Sequence, residues 1–134
     1  NADGSEQTRL TNNLERDDSP AWSPDGTKIA FNRWKNLDEE TRDIGVYIIN
    51  PDGNGETRLS GTSPADDHAL SWSPDGTKIA FGSFKIEGDR LVDDFGIYLM
   101  NSDGSNKTKL VSVGSFDLAW SPDGTKIVFI NLML

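Results

Sequence analysis

Short apolar runs alternate with polar turn-forming residues along the whole chain, and no run has the spacing of an amphipathic helix. The runs are rich in isoleucine, valine, phenylalanine, tyrosine and tryptophan, whereas proline, aspartate, asparagine and glycine lie between them. This pattern is typical of β-strands joined by tight turns. We therefore predict an all-β fold.

One ten-residue segment occurs three times. WSPDGTKIAF covers Trp22 to Phe31 and Trp72 to Phe81, and WSPDGTKIVF covers Trp120 to Phe129, so the tryptophans recur at intervals of 50 and 48 residues. An aliphatic and tyrosine run that ends in asparagine, at 46–50 and 97–101, recurs in step with it. A period of about 40 to 50 residues that contains several strands is typical of a propeller blade.

Each unit contains four predicted strands. In the first unit, strand A lies at 19–22, strand B at 28–32, strand C at 45–50 and strand D at 56–60. Pro-Asp-Gly and Ser-Asp-Gly segments predict hairpin turns between A and B and between C and D. Strands B and C are apolar at successive positions, so both of their faces must be covered, as in blades that pack face to face.

The repeated tryptophan is interpreted as a wedge between neighbouring blades, and the aspartate and glycine after it as turn residues. These structural positions are Trp22, Asp25, Gly26, Trp72, Asp75, Gly76, Trp120, Asp123 and Gly124.

The chain supplies just under three blades. Residues 1–11 give an orphan outer strand D, 12–60 a first blade, 61–111 a second, and 112–134 strands A and B of a third. A partial β-propeller exposes an apolar blade face at each end, so we expect self-association with a second copy to close the ring. Two copies approximate six blades, although the missing third strand C leaves a gap. Recent duplication and deliberate consensus repetition explain the near-identical copies equally well.

The segment WSPDGTKIAF, the run VYIIN and the N-terminal segment at 1–11, each with its copies, resemble the repeat of TolB-type propellers. The resemblance covers most of the chain except the B-to-C and D-to-A loops. It implies binding of proteins or peptides at the mouth of the ring, often outside the cytoplasm, and does not itself imply an enzyme. The repeat is also similar to the accessory, gating propeller of prolyl oligopeptidase-like serine peptidases.

Charge and composition narrow the classes of partner. The formal net charge of −9 argues against nucleic acid and against an anionic membrane surface. The chain has no cysteine, which excludes disulfides and thiolate zinc sites. It has no apolar run of membrane-spanning length and no leader-like start, so we interpret it as excised from a longer protein.

The predicted loops differ between the two ends of the blades. The A-to-B and C-to-D turns are short and uniform, whereas the B-to-C and D-to-A loops vary in length and chemistry, and variable loops on a rigid scaffold usually carry binding. The candidate binding residues on that face are Arg33, Trp34, Lys35, Asp67, His68, Phe84, Lys85 and Arg90. Trp34 has two interpretations, an interface anchor between two basic residues or a side chain packed on its own loop or the next blade.

Three carboxylate pairs could line a calcium site, at 17–18, 66–67 and 93–94, but no calcium-loop spacing supports it and a solvated acidic rim is preferred. We therefore expect no cofactor. His68 is interpreted as a loop residue rather than a general base. The sequence has no serine elbow, no zinc-protease helix motif and no phosphate loop, so we expect no enzyme activity.

The resulting hypothesis is a non-enzymatic, TolB-like module for protein or peptide binding that uses the loop-rich face. Two alternatives stay open, the accessory propeller of a serine peptidase and a metal-supported propeller that binds or cleaves glycans.

Overall fold

The computed structural model describes residues 1–36, 42–60, 66–87, 90–115 and 117–130, and the side chains at 42, 66, 85–87 and 90–94 are outside this description. The described residues form ten strands and no helix. None of them lies in a helix that is long and apolar enough to cross a membrane. The strands are β1 (Arg16–Trp22), β2 (Ile29–Asn36), β3 (Arg42–Ile49), β4 (Thr57–Arg58), β5 (Asp66–Trp72), β6 (Lys78–Glu87), β7 (Arg90–Asn101), β8 (Thr108–Val111), β9 (Leu118–Trp120) and β10 (Ile127–Phe129).

The strands form three antiparallel units in chain order. Blade 1 contains β1 to β4, blade 2 contains β5 to β8, and blade 3 contains β9 and β10. A single parallel pair, Ile44 with Asp66, joins blade 1 to blade 2 at the start of β5. The prediction of an all-β, partial β-propeller is confirmed.

The N-terminal segment differs from its prediction as an outer strand. Residues 1–12 contain no strand. A strand D forms only beside a strand C, and no described strand takes that place. Leu10 instead packs against the outer face of blade 1, and its carbonyl lies 3.0 Å from where a Cβ on Gly53 would be. Leu59, its counterpart in the next repeat, lies in the same way beside Gly104.

The predicted B-to-C loops are largely strand. In blade 1, β2 and β3 pair beyond Asn32, with Trp34 opposite Ile44 and Lys35 opposite Asp43. An aromatic residue facing a β-branched one and a base facing an acid both favour antiparallel pairing. In blade 2, the β6–β7 ladder likewise extends to the pair Glu87 and Arg90. Arg33 and Lys35, which indicated a loop, therefore lie in β2, and residues 37–41 and 88–89 of the predicted loops are outside the described residues.

The A-to-B turns have the same geometry in all three blades. In the first, the Asp25 carboxylate accepts hydrogen bonds from the Ser23 hydroxyl at 2.6 Å and the Thr27 amide at 3.0 Å. Gly26 has φ of 70°, which favours glycine. The equivalent bonds lower the pKa of Asp75 and of Asp123 to about 2. The three turns thus share one set of local hydrogen bonds.

The core lies between blades. Successive residues of a strand point to opposite faces, so Ala30 faces blade 2 while Phe31 faces away from it. The seam between blades 1 and 2, seam 1, contains Ala30, Val46, Leu59, Leu70, Trp72, Ile79, Phe81, Tyr98 and Met100. Seam 2, between blades 2 and 3, joins Ala80 and Ile97 to Leu118. The outer face of blade 1 has a smaller cluster of Ile29, Phe31, Tyr47 and Ile49 with Leu10.

The burial of each repeated tryptophan depends on whether its blade packs against a preceding blade. Trp72 is 8% exposed, and its Nε1 donates to the Ala21 carbonyl of blade 1 at 3.2 Å. Trp120 packs in seam 2, where its backbone amide donates to the Ser71 hydroxyl at 3.2 Å. Trp22 is 58% exposed. Each of the two packed tryptophans contacts the preceding blade, and the described chain contains no blade before Trp22.

Candidate functional site

The candidate residues gather at the upper end of the blades, the end at which β1 and β5 begin and β2 and β6 finish. Here three aromatic rings from three strands form a row. The Trp34 ring on β2 lies 5.8 Å from that of His68 on β5, and the His68 ring lies 5.7 Å from that of Phe84 on β6, both edge to face. The upper aromatic row therefore bridges blades 1 and 2.

Trp34 is half-buried and contacts an aspartate, an arginine and the His68 ring. Its Nε1 donates to the Asp18 carboxylate at 2.8 Å, and the Arg16 guanidinium lies 4.8 Å from the ring centre. Arg16 also forms an ion pair with Asp18 at 3.4 Å. Trp34 thus contacts its own blade and, through His68, the next one. These contacts match the packing interpretation of Trp34 and fix the ring while leaving part of it accessible.

Arg33 is a buried ion-pair centre. Its side chain is 3% exposed, and its guanidinium donates two bonds to the Asp17 carboxylate, at 2.7 and 2.9 Å. It also donates to Glu56 at 2.9 Å and lies 3.4 Å from Glu15. Burial alone would raise the pKa of Asp17, but the bonds from Arg33, Thr11 and Asn13 outweigh it and lower that pKa. Arg33 is therefore not available to a partner.

Blade 2 also combines an aspartate with a cation, but the cation comes from a different repeat position. Asp67 occupies the repeat position of Asp17, Ser83 that of Arg33, and Lys107 that of Glu56. The cation consequently comes from the segment before the outer strand instead of from the second strand. The Lys107 Nζ lies 4.5 Å from the Tyr98 ring centre and 5.0 Å from that of Phe81.

Blade 1 has the same aromatic cage. There the Arg33 guanidinium lies 5.0 and 5.2 Å from the ring centres of Tyr47 and Phe31. These two rings are the repeat equivalents of Tyr98 and Phe81. One cage thus holds a cation in each blade, supplied from two different sequence positions.

Asp67 is a fully buried carboxylate at seam 1. Within the described part of the chain, neither of its oxygens has a hydrogen-bond partner of ordinary distance and angle. Burial raises its pKa, and this effect outweighs the opposing influence of the Ser60 and Ser83 hydroxyls and of the Lys107 charge. Asp67 is therefore enclosed within the protein and is not accessible to a binding partner.

The other predicted binding residues do not all lie in the upper aromatic row. Lys35 is 36% exposed, 3.9 Å from Glu15, and its Nζ lies 5.5 Å from the Tyr47 ring centre. Phe84 is 6% exposed. Lys85 and Arg90 lie on β6 and β7, and their side chains are outside the described residues. The row thus brings together Trp34, His68 and Phe84, whereas Arg33 and Lys35 lie toward the outer face.

The carboxylate pair at 17–18 diverges because the two neighbours on β1 point to opposite faces. Asp17 bonds Arg33 and Asp18 bonds Trp34. Among the described residues, no group of three or more histidine or acidic side chains is placed to hold a metal ion. The side chains of Asp66, Asp93 and Asp94 are outside the description.

The sequence interpretation missed several residues of this region. Arg16 covers the Trp34 ring, and Glu56 and Lys107 complete the charge balance of their blades. Asn32, fully buried on the same side of β2 as Ala30, was not identified either. The signal for Glu56 and Lys107 was present, because aligning the repeats shows Arg33 with Glu56 in one copy and Ser83 with Lys107 in the other.

The blades, their shared seams and the row at their upper end define the chain as a partial β-propeller. No protein-family model and no curated protein sequence matches the chain. Solved structures do match it. One is an oligogalacturonate lyase in complex with manganese, with a TM-score of 0.71 and 20% identity over 98% of this chain and 34% of that chain.

A second similar structure is a putative TolB from Agrobacterium tumefaciens. It has a TM-score of 0.53 and 19% identity, and the match covers 91% of this chain and 56% of that chain. The chain thus spans less than two thirds of either neighbour. Similarity at this level of identity shows the shared fold, and the resemblance to a TolB-like propeller agrees with it.

Proposed function

We propose that the chain is a non-enzymatic, TolB-like propeller module that binds a protein or peptide at its upper aromatic row. The observation that carries the proposal is the placement of Trp34 and His68, half-buried rings from two blades, in edge-to-face contact at 5.8 Å. Rigid aromatic side chains beside arginine are favoured in binding surfaces because they bury much area with little loss of conformational entropy.

The charge of the surroundings favours a basic partner. Arg16 lies over the Trp34 ring and Lys35 is the next residue along β2, and both already lie close to carboxylates, at 3.4 Å from Asp18 and 3.9 Å from Glu15. The chain carries a net charge of −9, which attracts cationic ligands and repels anionic ones. We therefore expect a peptide that places an apolar or basic side chain on the row.

Selection from a random peptide library displayed on phage tests the proposal. The immobilised protein is expected to enrich peptides rich in lysine, arginine and aromatic residues. His68→Ala and Trp34→Ala are expected to weaken binding of the selected peptides by tenfold or more, on the order of the loss of one anchor contact. Circular dichroism of both variants establishes that they remain folded.

Leu110→Ala is the matched control. Leu110 is 50% exposed and lies on the outermost strand β8, which two strands separate from β5. Its removal deletes exposed apolar surface away from the row, so peptide affinity is expected to stay unchanged. Absence of enrichment above background, or equal loss of affinity in all three variants, would contradict the proposal.

Self-association to complete the ring is the second part of the proposal. It is supported by the exposure of Trp22 at one end of the blade series and of Val128 at the other, 58% and 68% respectively. Exposed apolar surface at both ends of a series of packed sheets favours association. Size-exclusion chromatography with light scattering measures the outcome, and a particle heavier than the 14.7 kDa chain is expected.

A further inference from the structure

Seam 1 shows which side chains of one blade cover the face of the next blade. At seam 1, the blade 2 residues Leu70, Ile79 and Phe81 are covered by Ala30 and Val46 of blade 1. The Trp72 indole completes the seam by donating to the Ala21 carbonyl. The face of blade 2 is thus covered by small and aliphatic side chains of the preceding blade and by one backbone acceptor.

Blade 1 presents the same face, which Leu10 of the N-terminal segment covers in part and no described blade covers. Pro20, Ile29 and Phe31 are the repeat equivalents of Leu70, Ile79 and Phe81. Together with Leu10 and Ile49 they line an open groove of about 170 Å³. A protein cavity of about 150 Å³ accepts a benzene-sized group, so this groove has room for an aliphatic side chain.

Blade 3 presents the complementary surface. Val128 and Ile130 occupy the repeat positions of Ala30 and Asn32, the side of strand B that faces the next blade. They are 68% and 58% exposed. The Ile130 amide donates to the Asp117 carbonyl at 3.1 Å, which continues the β9–β10 pairing and holds this residue in line with the strand. Ala119, the equivalent of the acceptor Ala21, is also exposed.

The lower turns give an independent indication. A Cβ on Gly76 would lie 3.7 Å from Cδ of Pro24, and a Cβ on Gly124 would lie 3.7 Å from Cδ of Pro74. Each proline thus lies beside the turn of the next blade. A Cβ on Gly26 would meet no described atom within 4 Å. Gly26 lacks the proline neighbour that its two counterparts have, and Pro122 is the remaining proline of the series.

We propose that the blade 1 groove receives Val128 and Ile130 of a second copy of this chain, in a head-to-tail seam that repeats seam 1. The seam places Pro122 of one copy against Gly26 of the other, and directs the Trp22 indole to the carbonyl of the other copy's Ala119. This inference rests on the proposed self-association and adds its interface. Because the two surfaces differ, the contact is heterologous and closes into a ring or continues as an open chain.

Chemical cross-linking at the lower turns tests the seam, since the native chain has no cysteine. The variant Gly26→Cys/Pro122→Cys, treated with a short bis-maleimide, is expected to give covalent products between chains. Pro24→Cys/Gly76→Cys is the matched control, because Gly26 and Gly76 have nearly equal φ, 70° and 72°, and suffer the same strain. It is expected to cross-link within one chain.

Light scattering on the untreated protein accompanies the cross-linking. Particles heavier than one chain, together with cross-links between chains only at Gly26 and Pro122, support the seam. A monomer at all concentrations overturns it. An oligomer without the Gly26–Pro122 product overturns the seam while leaving self-association in place. Peptide selection at the upper row is measured separately, so its failure is distinguishable from either result.

Discussion

At the scale of single residues, the same amino acid in the same repeat position has different surroundings. Trp72 packs in seam 1 and is 8% exposed, whereas no described blade precedes Trp22, which is 58% exposed. The energetic contribution of a tryptophan follows from the apolar area it buries and from the cavity its removal leaves. Position in the repeat alone therefore does not determine the cost of a substitution.

We predict that Trp72→Ala lowers the free energy of unfolding by about 3 kcal/mol, because it leaves a cavity in the core. Trp22→Ala is expected to cost less than about 1 kcal/mol, the usual range for exposed positions. Urea denaturation of dilute protein, followed by circular dichroism, measures both. Equal losses would show that Trp22 is buried even in the dilute chain.

Asp67 and Asp17 provide a second contrast. Asp67 is buried without an ordinary hydrogen-bond partner among the described residues, whereas Asp17 is bonded to Arg33. We predict that Asp67→Asn stabilises the fold at pH 7 by roughly 1 kcal/mol, since it removes a desolvated charge. Asp17→Asn, at the equivalent position, is expected to destabilise it, because Arg33 loses its charged partner.

The direction of each pKa shift determines how the stability change of each variant varies with pH. The pKa of Asp67 is raised, so the folded state binds its proton more tightly, and the penalty of ionisation grows as pH rises through the folded pKa. The advantage of Asp67→Asn is expected to disappear below about pH 4. The pKa of Asp17 is lowered, so its stabilising effect is present above the unfolded value of 3.8 and lost in acid. Thermal melting between pH 3 and 7 would contradict this account if both variants shifted in the same direction.

At the scale of strands, the two complete blades balance charge differently. Blade 1 uses Arg33 on β2 with Glu56 before β4, and blade 2 uses Ser83 on β6 with Lys107 before β8. Both arrangements place one cation over the paired aromatic rings of strands B and C. In both blades a cation thus lies over the equivalent pair of rings, although a different segment provides it.

We predict that Arg33→Ser costs about 2 kcal/mol, because it leaves Asp17 and Glu56 together without a cation in a partly buried site. The double variant Arg33→Ser/Glu56→Lys copies blade 2 and is expected to recover at least half of that loss. A double-mutant cycle by urea denaturation measures the coupling. Additive losses in the double variant would show that the two positions act independently.

The sequence predicted the turns well because their causes are local. Asp25 bonds only to Ser23 and Thr27, and Gly26 needs only its own positive φ. Strand ends were predicted poorly since their causes are remote. The charged residues Arg33 and Lys35 extend β2 because their partners lie across the hairpin and, for Arg33, on two further segments.

The candidate site was predictable only in part, because some of its features are visible in the local sequence and others depend on remote segments. The divergence between repeats indicated the upper end, where Trp34, His68 and Phe84 lie together, and binding at that end stays a prediction. Burial of Arg33 and Asp67 could not be inferred from their neighbours in sequence, because it depends on what the adjacent blade and the N-terminal segment cover. An isolated charged residue in a polar stretch indicates solvent on average, and both residues are exceptions.

At the scale of the whole molecule, a strong negative charge opposes an apolar interface. The net charge is −9 per chain, while the proposed seam consists of aliphatic and aromatic side chains. Repulsion between copies extends over the Debye length, which is about 10 Å at 0.1 M salt and shorter at higher concentration. Ionic strength is therefore expected to act on association mainly through this long-range repulsion.

We predict that raising sodium chloride from about 0.05 to about 0.5 M strengthens self-association, because screening reduces repulsion and leaves apolar contact unaffected. Sedimentation equilibrium measures the association constant at each concentration. Substituting sodium perchlorate at equal ionic strength controls for specific salt effects. Weaker association at high salt would indicate that ion pairs, rather than apolar contacts, dominate the interface.

The ion pairs of Arg33 have a consequence for how such a chain changes over generations. All three of its carboxylate partners, Glu15, Asp17 and Glu56, belong to its own blade or the segment leading into it. Unequal recombination between the near-identical WSPDGTKI segments at 22–29 and 72–79 would add or remove Arg33 and Glu56 together, whereas Glu15 and Asp17 lie before the crossover and stay in place. A shortened descendant would join Asp17 to the unit of Ser83 and Lys107, in which Lys107 supplies the cation over the aromatic rings. The number of units can therefore change without loss of a cation at this position.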